Sequence, residues 1–239
     1  MCEWLGLDLP VRARELPPAG VVECWLMEVG GLAFPGRQSS DQAGAQDERR
    51  SLRLRRRFLL RLILGAYLRR PGKDLEFVHG PSGKPELADG QGDSSLCFNI
   101  SHSGDWLALA LARDVAVGVD IEQRRELKRA GDLARRYFSS KEAEHLAALA
   151  EPERSAHFFR LWTAREACIK AMGSSLARSL GELELAPEGA ELLAVPADWP
   201  GPDRWSVLRL ESPAPLHICV AAPRPGMWVR PIRLDCSLR

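Results

Sequence analysis

Two periods of apolar spacing run along this chain, and the switches between them mark its elements. Residues 21–29 form an apolar run rich in valine, which predicts a strand. Residues 35–47, rich in Gly, Ser and Gln without periodicity, read as a mobile loop. Over residues 48–70 the spacing becomes helical. Leu52, Leu59, Leu62, Ile63 and Ala66 make a core-facing arc, and Arg50, Arg53, Arg57 and Arg61 gather on another. Strand-like runs return on either side of the polar tip Ser101-His102-Ser103-Gly104-Asp105, as in a hairpin. Residues 115–122 alternate: Val117, Val119 and Ile121 face one side of a strand, and Gly118, Asp120 and Glu122 face the other. A charged, mobile connection over 123–133 leads to a helix over 139–149. Ser139 or Ser140 is its N-cap, Phe138 a staple before it, and Glu142 and Glu144 suit its dipole. Pro152 separates it from a second helix that carries residues 161–172. Short strand-like pieces at 183–185, 205–210, 217–221 and 228–232 follow between Pro/Gly turns, with His217 and the tail tryptophans read as core.

Composition narrows the classes. The 239 residues, 45% of them apolar, can bury a core as one large domain or two modest ones. Lys and Arg number 33 against 32 Asp and Glu, a net charge of +1 that argues against a dedicated nucleic-acid binder. The six cysteines lie far apart without a CxxC pair and read as buried, reduced thiols in a cytoplasmic protein. Glu3, Asp8, Arg12, Arg14 and Glu15 break any signal-peptide core, and no apolar run approaches the ~20 residues that span a bilayer. Neither nucleic acid nor membrane is expected as a partner.

Charge is informative where it needs a reason. Within 161–172, Leu161, Ala164, Cys168, Ala171 and Met172 share one helical arc, and Trp162, Glu166 and Lys170 share the opposite one. Glu166 and Lys170 could be a plain i,i+4 salt pair. Asp120 and Glu122, one strand repeat apart on one face, repel unless something positive lies between them. Hard oxygen ligands at that spacing suit Mg²⁺, with Gly118 leaving room for a ligand; the bland alternative is a solvated acidic strand end. The Gly83-Lys84-Pro85 turn could offer Lys84 to an anion. The hydroxyls flanking His102 suggest donors that converge on an acceptor such as phosphate. The arginine arc is a solvated face, a phosphate seat or, less consistently with the net charge, a nucleic-acid contact. Carboxylates for a hard metal together with several cations are what a polyphosphate substrate requires. No P-loop and no kinase-type glycine loop is present.

In order along the chain stand Gly83-Lys-Pro85, Phe98-Asn-Ile-Ser-His-Ser-Gly-Asp-Trp106, Val117-Gly-Val-Asp-Ile-Glu122, Phe138-Ser-Ser-Lys-Glu142 and Trp162-Thr-Ala-Arg-Glu-Ala-Cys-Ile-Lys170. This series resembles the 4′-phosphopantetheinyl transferases of the Sfp type, in their double-length monomeric branch. One departure is Arg165, where the family usually has lysine. The resemblance implies an α+β fold of two similar halves related by a pseudo-twofold axis, residues 1–112 and 113–239, with the active site in the cleft between them. It implies transfer of the phosphopantetheine arm of coenzyme A to a serine of an apo acyl- or peptidyl-carrier protein, releasing adenosine 3′,5′-bisphosphate. Asp120, Glu122 and Glu166 would ligate Mg²⁺, with Mn²⁺ as an alternative. Glu166 would act as base and Lys170 would contact phosphate. Lys84, Pro85, Ser101 and His102 would bind coenzyme A, with Arg57 on its 3′-phosphate. Arg124, Arg125, Lys128 and Arg129 would meet the acidic helix of the carrier. Rival readings are a coenzyme A-binding module without catalysis, a metal-dependent phosphodiesterase that uses water, and an arginine-helix nucleic-acid binder.

Overall fold

In a computed structural model, which describes residues 3–30, 32, 45–80, 83–91 and 93–236, the alternating runs become strands of two sheets stacked face to face. In chain order the elements are β1 (Leu5–Asp8), β2 (Val21–Glu28), α1 (Ala45–Leu68), β3 (Phe77–His79), β4 (Pro85–Leu87), β5 (Leu96–Ser103), β6 (Trp106–Arg113) and β7 (Gly118–Gln123). Then follow α2 (Ala130–Tyr137), α3 (Ser140–Ala148), α4 (Glu153–Ala171), α5 (Leu176–Ser179), β8 (Glu184–Leu185), β9 (Leu192–Ala194), β10 (Ser206–Leu210), β11 (Leu216–Ala222) and β12 (Trp228–Asp235). The larger sheet has the order β1-β12-β2-β6-β5 and the smaller β10-β11-β7, with β3-β4 and β8-β9 as separate pairs. The mixed α+β class expected from the motifs is the one observed.

Side-chain parity dictates the stacking. Val22, Cys24 and Leu26 of β2 and Ala108, Ala110 and Ala112 of β6 point at Val119 and Ile121 of β7 and Ile218 and Val220 of β11. The other parity of the larger sheet, with Trp25, Met27, Leu107 and Leu109, packs on Leu59, Ile63, Leu64 and Tyr67 of α1. The outer parity of the smaller sheet, with Cys219 and Ala221, packs on Leu161, Ala164 and Cys168 of α4. Each buried Val, Leu or Ile among these contributes roughly 1.5–3 kcal/mol, and each alanine less. The layers are therefore helix, sheet, sheet, helices. β12 lies between β1 and β2 and runs parallel to both, so the larger sheet takes its second strand from residues 228–235.

Several local readings change. The 161–172 stretch is the end of α4, which starts at Glu153 directly after Pro152. The charged 123–133 connection gives way to α2 at Ala130, anchored by the buried Ala130 and Ala134. The β5–β6 turn is only Gly104 and Asp105, so Ser101, His102 and Ser103 are strand residues opposite Ala108, Leu107 and Trp106. Ser139 caps α3 in a full capping box with Glu142, and Phe138 stacks on Phe158 of α4 at 5.2 Å within the cluster that also holds Ala143 and Leu146 of α3. Trp199 and Trp205 are buried, whereas Trp228 is 51% exposed beneath Arg230, because β12 turns that position outward. Cys24, Cys168, Cys219 and Cys236 are buried free thiols and Cys97 is half-buried; Cys2 and residues 35–44 of the loop reading lie outside the described residues. Among the described residues no helix is long and apolar enough to cross a membrane.

His157 and His217 sit where α4 meets β11, His157 against His145 and Arg160, and His217 stacked on Phe159. Burial, reinforced by neighbouring arginines, pushes both imidazoles down to about 4. In the unfolded chain each would titrate near 6.5, so between these values the unfolded state binds more protons and stability falls as pH falls. Acidification from pH 7 to pH 5 is expected to cost on the order of 1 kcal/mol per ring after allowance for solvent screening. Thermal melts of the wild type and of His217→Gln check this: the variant should lose less of its midpoint over that interval.

Candidate active site

Gly118 explains how the helix that carries Glu166 reaches the strand that carries Asp120. A Cβ at this position would stand 1.9 Å from the Ala167 carbonyl oxygen and 2.6 Å from the Ala171 nitrogen. The space that the sequence reserves for a ligand is therefore filled by the α4 backbone, and backbone-to-backbone contact is what brings the two elements together. Gly118→Ala is expected to push α4 off β7, costing about 1–3 kcal/mol by overpacking. It should also lower any activity that needs Asp120 and Glu166 together. A melt and an activity assay on the same preparation check both effects.

A cavity of about 470 Å³ opens at this junction, lined by Gly83, Lys84, Pro85, Asn99, Ile100, Ser101, His102, Asp120, Ile121, Glu122, Glu166, Lys170 and Ser174. Asp120 and Glu122 face it from β7, Glu166 and Lys170 from α4, and Ser101 and His102 from β5. Lys170 Nζ stands 2.6 Å from Asp120 Oδ1 and 3.4 Å from Glu166 Oε2. The helical pair is thus part of a three-residue network rather than a surface salt bridge. Burial works against the Lys170 charge, but the Asp120 and Glu166 carboxylates outweigh it and raise its pKa. Burial, with Glu166 nearby, pushes the Asp120 carboxyl up to about 7 against the opposing pull of Lys170.

Among the described residues no three His, Cys, Asp or Glu side chains already converge as a metal-ligating group. The donor set nevertheless fits a hard divalent cation. Asp120 Oδ2 is buried without a hydrogen-bond partner, beside a cavity that two further carboxylates line. An unpaired buried carboxylate oxygen is costly unless a cation or donor meets it.

The cationic residues divide into two groups. Lys84 Nζ donates to the Val117 and Lys170 carbonyls at 3.4 and 3.2 Å, tying its turn to the residue before β7 and to the C-terminus of α4. Burial lowers its pKa. Of the arginine arc, Arg50, Arg53 and Arg57 are exposed, whereas Arg61 donates to the Gly72 and Leu75 carbonyls and so belongs to the fold. Arg56, outside the arc drawn from the sequence, reaches the Gly104 carbonyl at 2.5 Å beside His102. Burial, then the Arg56 charge, lowers the His102 pKa. Helical phase separates Arg56 from Arg57 by 100°, and only the packing of α1 shows which of them meets the β5–β6 hairpin.

Arg165 points away from the cavity. Its Nη2 lies 2.5 Å from both Glu142 oxygens and 3.2 Å from the Leu183 carbonyl, and its guanidinium covers the Phe138 ring at 4.1 Å. Both side chains are closed to solvent. Trp162 stacks on Phe158 and meets Tyr137 edge-on, a packing role.

Comparison with known proteins shows similarity to one family. Residues 116–215 match the family described as "4'-phosphopantetheinyl transferase superfamily", and residues 39–114 match "4'-phosphopantetheinyl transferase, N-terminal". The chain is 38% identical over 176 residues to the 4′-phosphopantetheinyl transferase HetI of Nostoc sp., covering 70% of each chain. It is 31% identical over 190 residues to the 4′-phosphopantetheinyl transferase psf-1 of Bacillus pumilus, covering 74% of this chain and 78% of that one. With the 4′-phosphopantetheinyl transferase AcpT of Salmonella typhimurium it shares 40% identity over 100 residues, 42% of this chain and 50% of the other.

Proposed function

Since the chain belongs to the 4′-phosphopantetheinyl transferase superfamily, we propose that its cavity moves the phosphopantetheine arm of coenzyme A onto a serine hydroxyl of an apo acyl- or peptidyl-carrier protein. The observation that carries this reading is the single cavity in which Asp120, Glu122 and Glu166 face Lys170 and His102. Asp120, Glu122 and Glu166 would hold Mg²⁺, or Mn²⁺ in its place, and the ion would neutralise the pyrophosphate of the substrate. Glu166 takes the proton of the carrier serine, directly or through a water. The serine oxygen forms a bond to the β-phosphorus as the bond to the bridging oxygen breaks, and adenosine 3′,5′-bisphosphate leaves. Lys170 donates to the phosphate that carries the growing charge. His102 binds an outer phosphate. Arg56, beside His102, suits the 3′-phosphate better than the exposed Arg57. Lys84 and Pro85 lie along the nucleotide. Ser101 lines the same cavity but spends its one O–H on Asp120.

Lining residues come from both proposed halves, Lys84, Ser101 and His102 from 1–112 and the carboxylates from 113–239, which supports a cleft between them. The Sfp-type monomeric branch and a cytoplasmic setting belong to the same proposal. The carrier would dock beside Glu122, where Arg124, Arg125, Lys128 and Arg129 complement an acidic helix. Incubation with coenzyme A, Mg²⁺ and a panel of apo carrier proteins tests the reading by intact mass. One phosphopantetheine arm should be added per carrier. No gain on any carrier, or breakdown of coenzyme A without one, would replace the transferase by a phosphodiesterase or a binding module.

A further inference from the structure

Three side chains of β5 occupy places that backbone atoms hold elsewhere in a sheet. β7 pairs with β11 on one edge, and the amides of Val119, Ile121 and Gln123 turn to the opposite edge. There Val119 N donates to Asn99 Oδ1 at 2.9 Å, Ile121 N to Ser101 Oγ at 3.4 Å and Gln123 N to Ser103 Oγ at 3.2 Å. Partner numbers rise by two on both strands, so β5 and β7 run side by side in one direction, one side chain apart. Asn99, Ser101 and Ser103 are all buried.

Each serine hydroxyl also has a proton to give. Ser101 donates to Asp120 Oδ1 at 2.7 Å, and Ser103 to Glu122 Oε2 at 2.9 Å. The carboxylate that each one holds stands one residue before the amide that it accepts. Asn99 lacks such a carboxylate, because the matching position is Gly118. The hydroxyls that the sequence suggests as donors to phosphate are therefore committed to carboxylates.

We infer that Asn99, Ser101 and Ser103 form a side-chain comb in which Ser103 is a positioning residue for Glu122. The inference rests on the reading of Glu122 as a metal ligand. Ser103 is not among the residues that line the cavity, so it acts through Glu122. By holding Oε2, it fixes the side-chain rotamer and presents Oε1 to an ion. Outer partners of this kind are typically worth 10–100-fold in metal affinity. Arg125, 3.2 Å from the same oxygen, is half exposed and supplies the charge but not the fixed direction.

The test is titration of the full chain with Mn²⁺ in the presence of coenzyme A, following free Mn²⁺ by electron paramagnetic resonance. Ser103→Ala should weaken Mn²⁺ binding about tenfold. It should raise the Mg²⁺ concentration for half-maximal transfer by a similar factor, with KM for coenzyme A within about twofold of wild type. Ser103→Thr, which keeps the hydroxyl, should restore the affinity. A folded Ser103→Ala protein that binds Mn²⁺ as tightly as wild type would overturn the inference, as would a threonine variant no better than alanine. Weakened Mn²⁺ binding in a protein that loads no carrier would uphold the comb and remove the transferase reading.

Discussion

Glu166→Gln is expected to abolish carrier loading while leaving the fold intact. The carboxylate is partly solvated and its contact with Lys170 is long, at 3.4 Å, so an isosteric amide removes little that holds α4 in place. What the amide cannot do is bind a divalent cation with full charge or accept the serine proton. Loss of a general base and of charge at the pyrophosphate together should lower kcat by at least ~10³-fold. The melting midpoint should move by less than about 3 °C, as a change below 1 kcal/mol would give in a chain of this size. Intact-mass kinetics on one apo carrier, with a melt alongside, measure both. Turnover within tenfold of wild type would take Glu166 out of the chemistry.

At Glu142, the buried partner of the neighbouring Arg165, the expectation reverses. Glu142→Gln should cost about 3–5 kcal/mol, because it leaves the Arg165 guanidinium buried without its counter-charge. That corresponds to a drop of roughly 6–20 °C in the melting midpoint. The single glutamine oxygen can keep only one of the two backbone amides that Glu142 now holds, Ser139 N at 2.8 Å or Leu185 N at 3.0 Å, so the loss combines the missing charge with one missing backbone contact. Glu142→Gln combined with Arg165→Met should recover part of the loss, since no bare charge remains. A double variant less stable than Glu142→Gln alone would show that Arg165 contributes through its stacking on Phe138 and its carbonyl contacts. Neighbours on α4 therefore serve different ends: Arg165 braces the helix from behind, and Glu166 faces the cavity.

That division marks where sequence reading succeeds and where it stops. The alternation around Asp120 was legible because a strand's period of two is local, and the observed parity puts Val119 and Ile121 inward and Asp120 and Glu122 together on the α4 face. Ser139 as N-cap was legible for the same local reason. The inward turn of Arg165 was not, since a charged helical position reads as solvent-facing until its buried partner is known. Gly118 carries no signal that separates room for a ligand from room for a helix; only the crossing of α4 decides it. Arg56 was hidden because the arc drawn on α1 follows periodicity, while the hairpin that Arg56 meets lies 48 residues away. The comb on β5 was masked by residue type, since serines beside a histidine read equally well as ligand donors.

The seat of β12 in the middle of the larger sheet also bears on how this chain acquires its structure. Until residues 228–235 arrive, β1 has no neighbour and β2 has one open edge, so the sheet over which α1 packs stays unfinished during synthesis. Contacts that join the two ends of a chain are slow to form and leave early intermediates with bare strand edges. Residues 1–112 made alone would then be a sticky fragment rather than a half-enzyme. Unfolding of the whole chain should proceed as one cooperative event, without the separate steps that independent domains show.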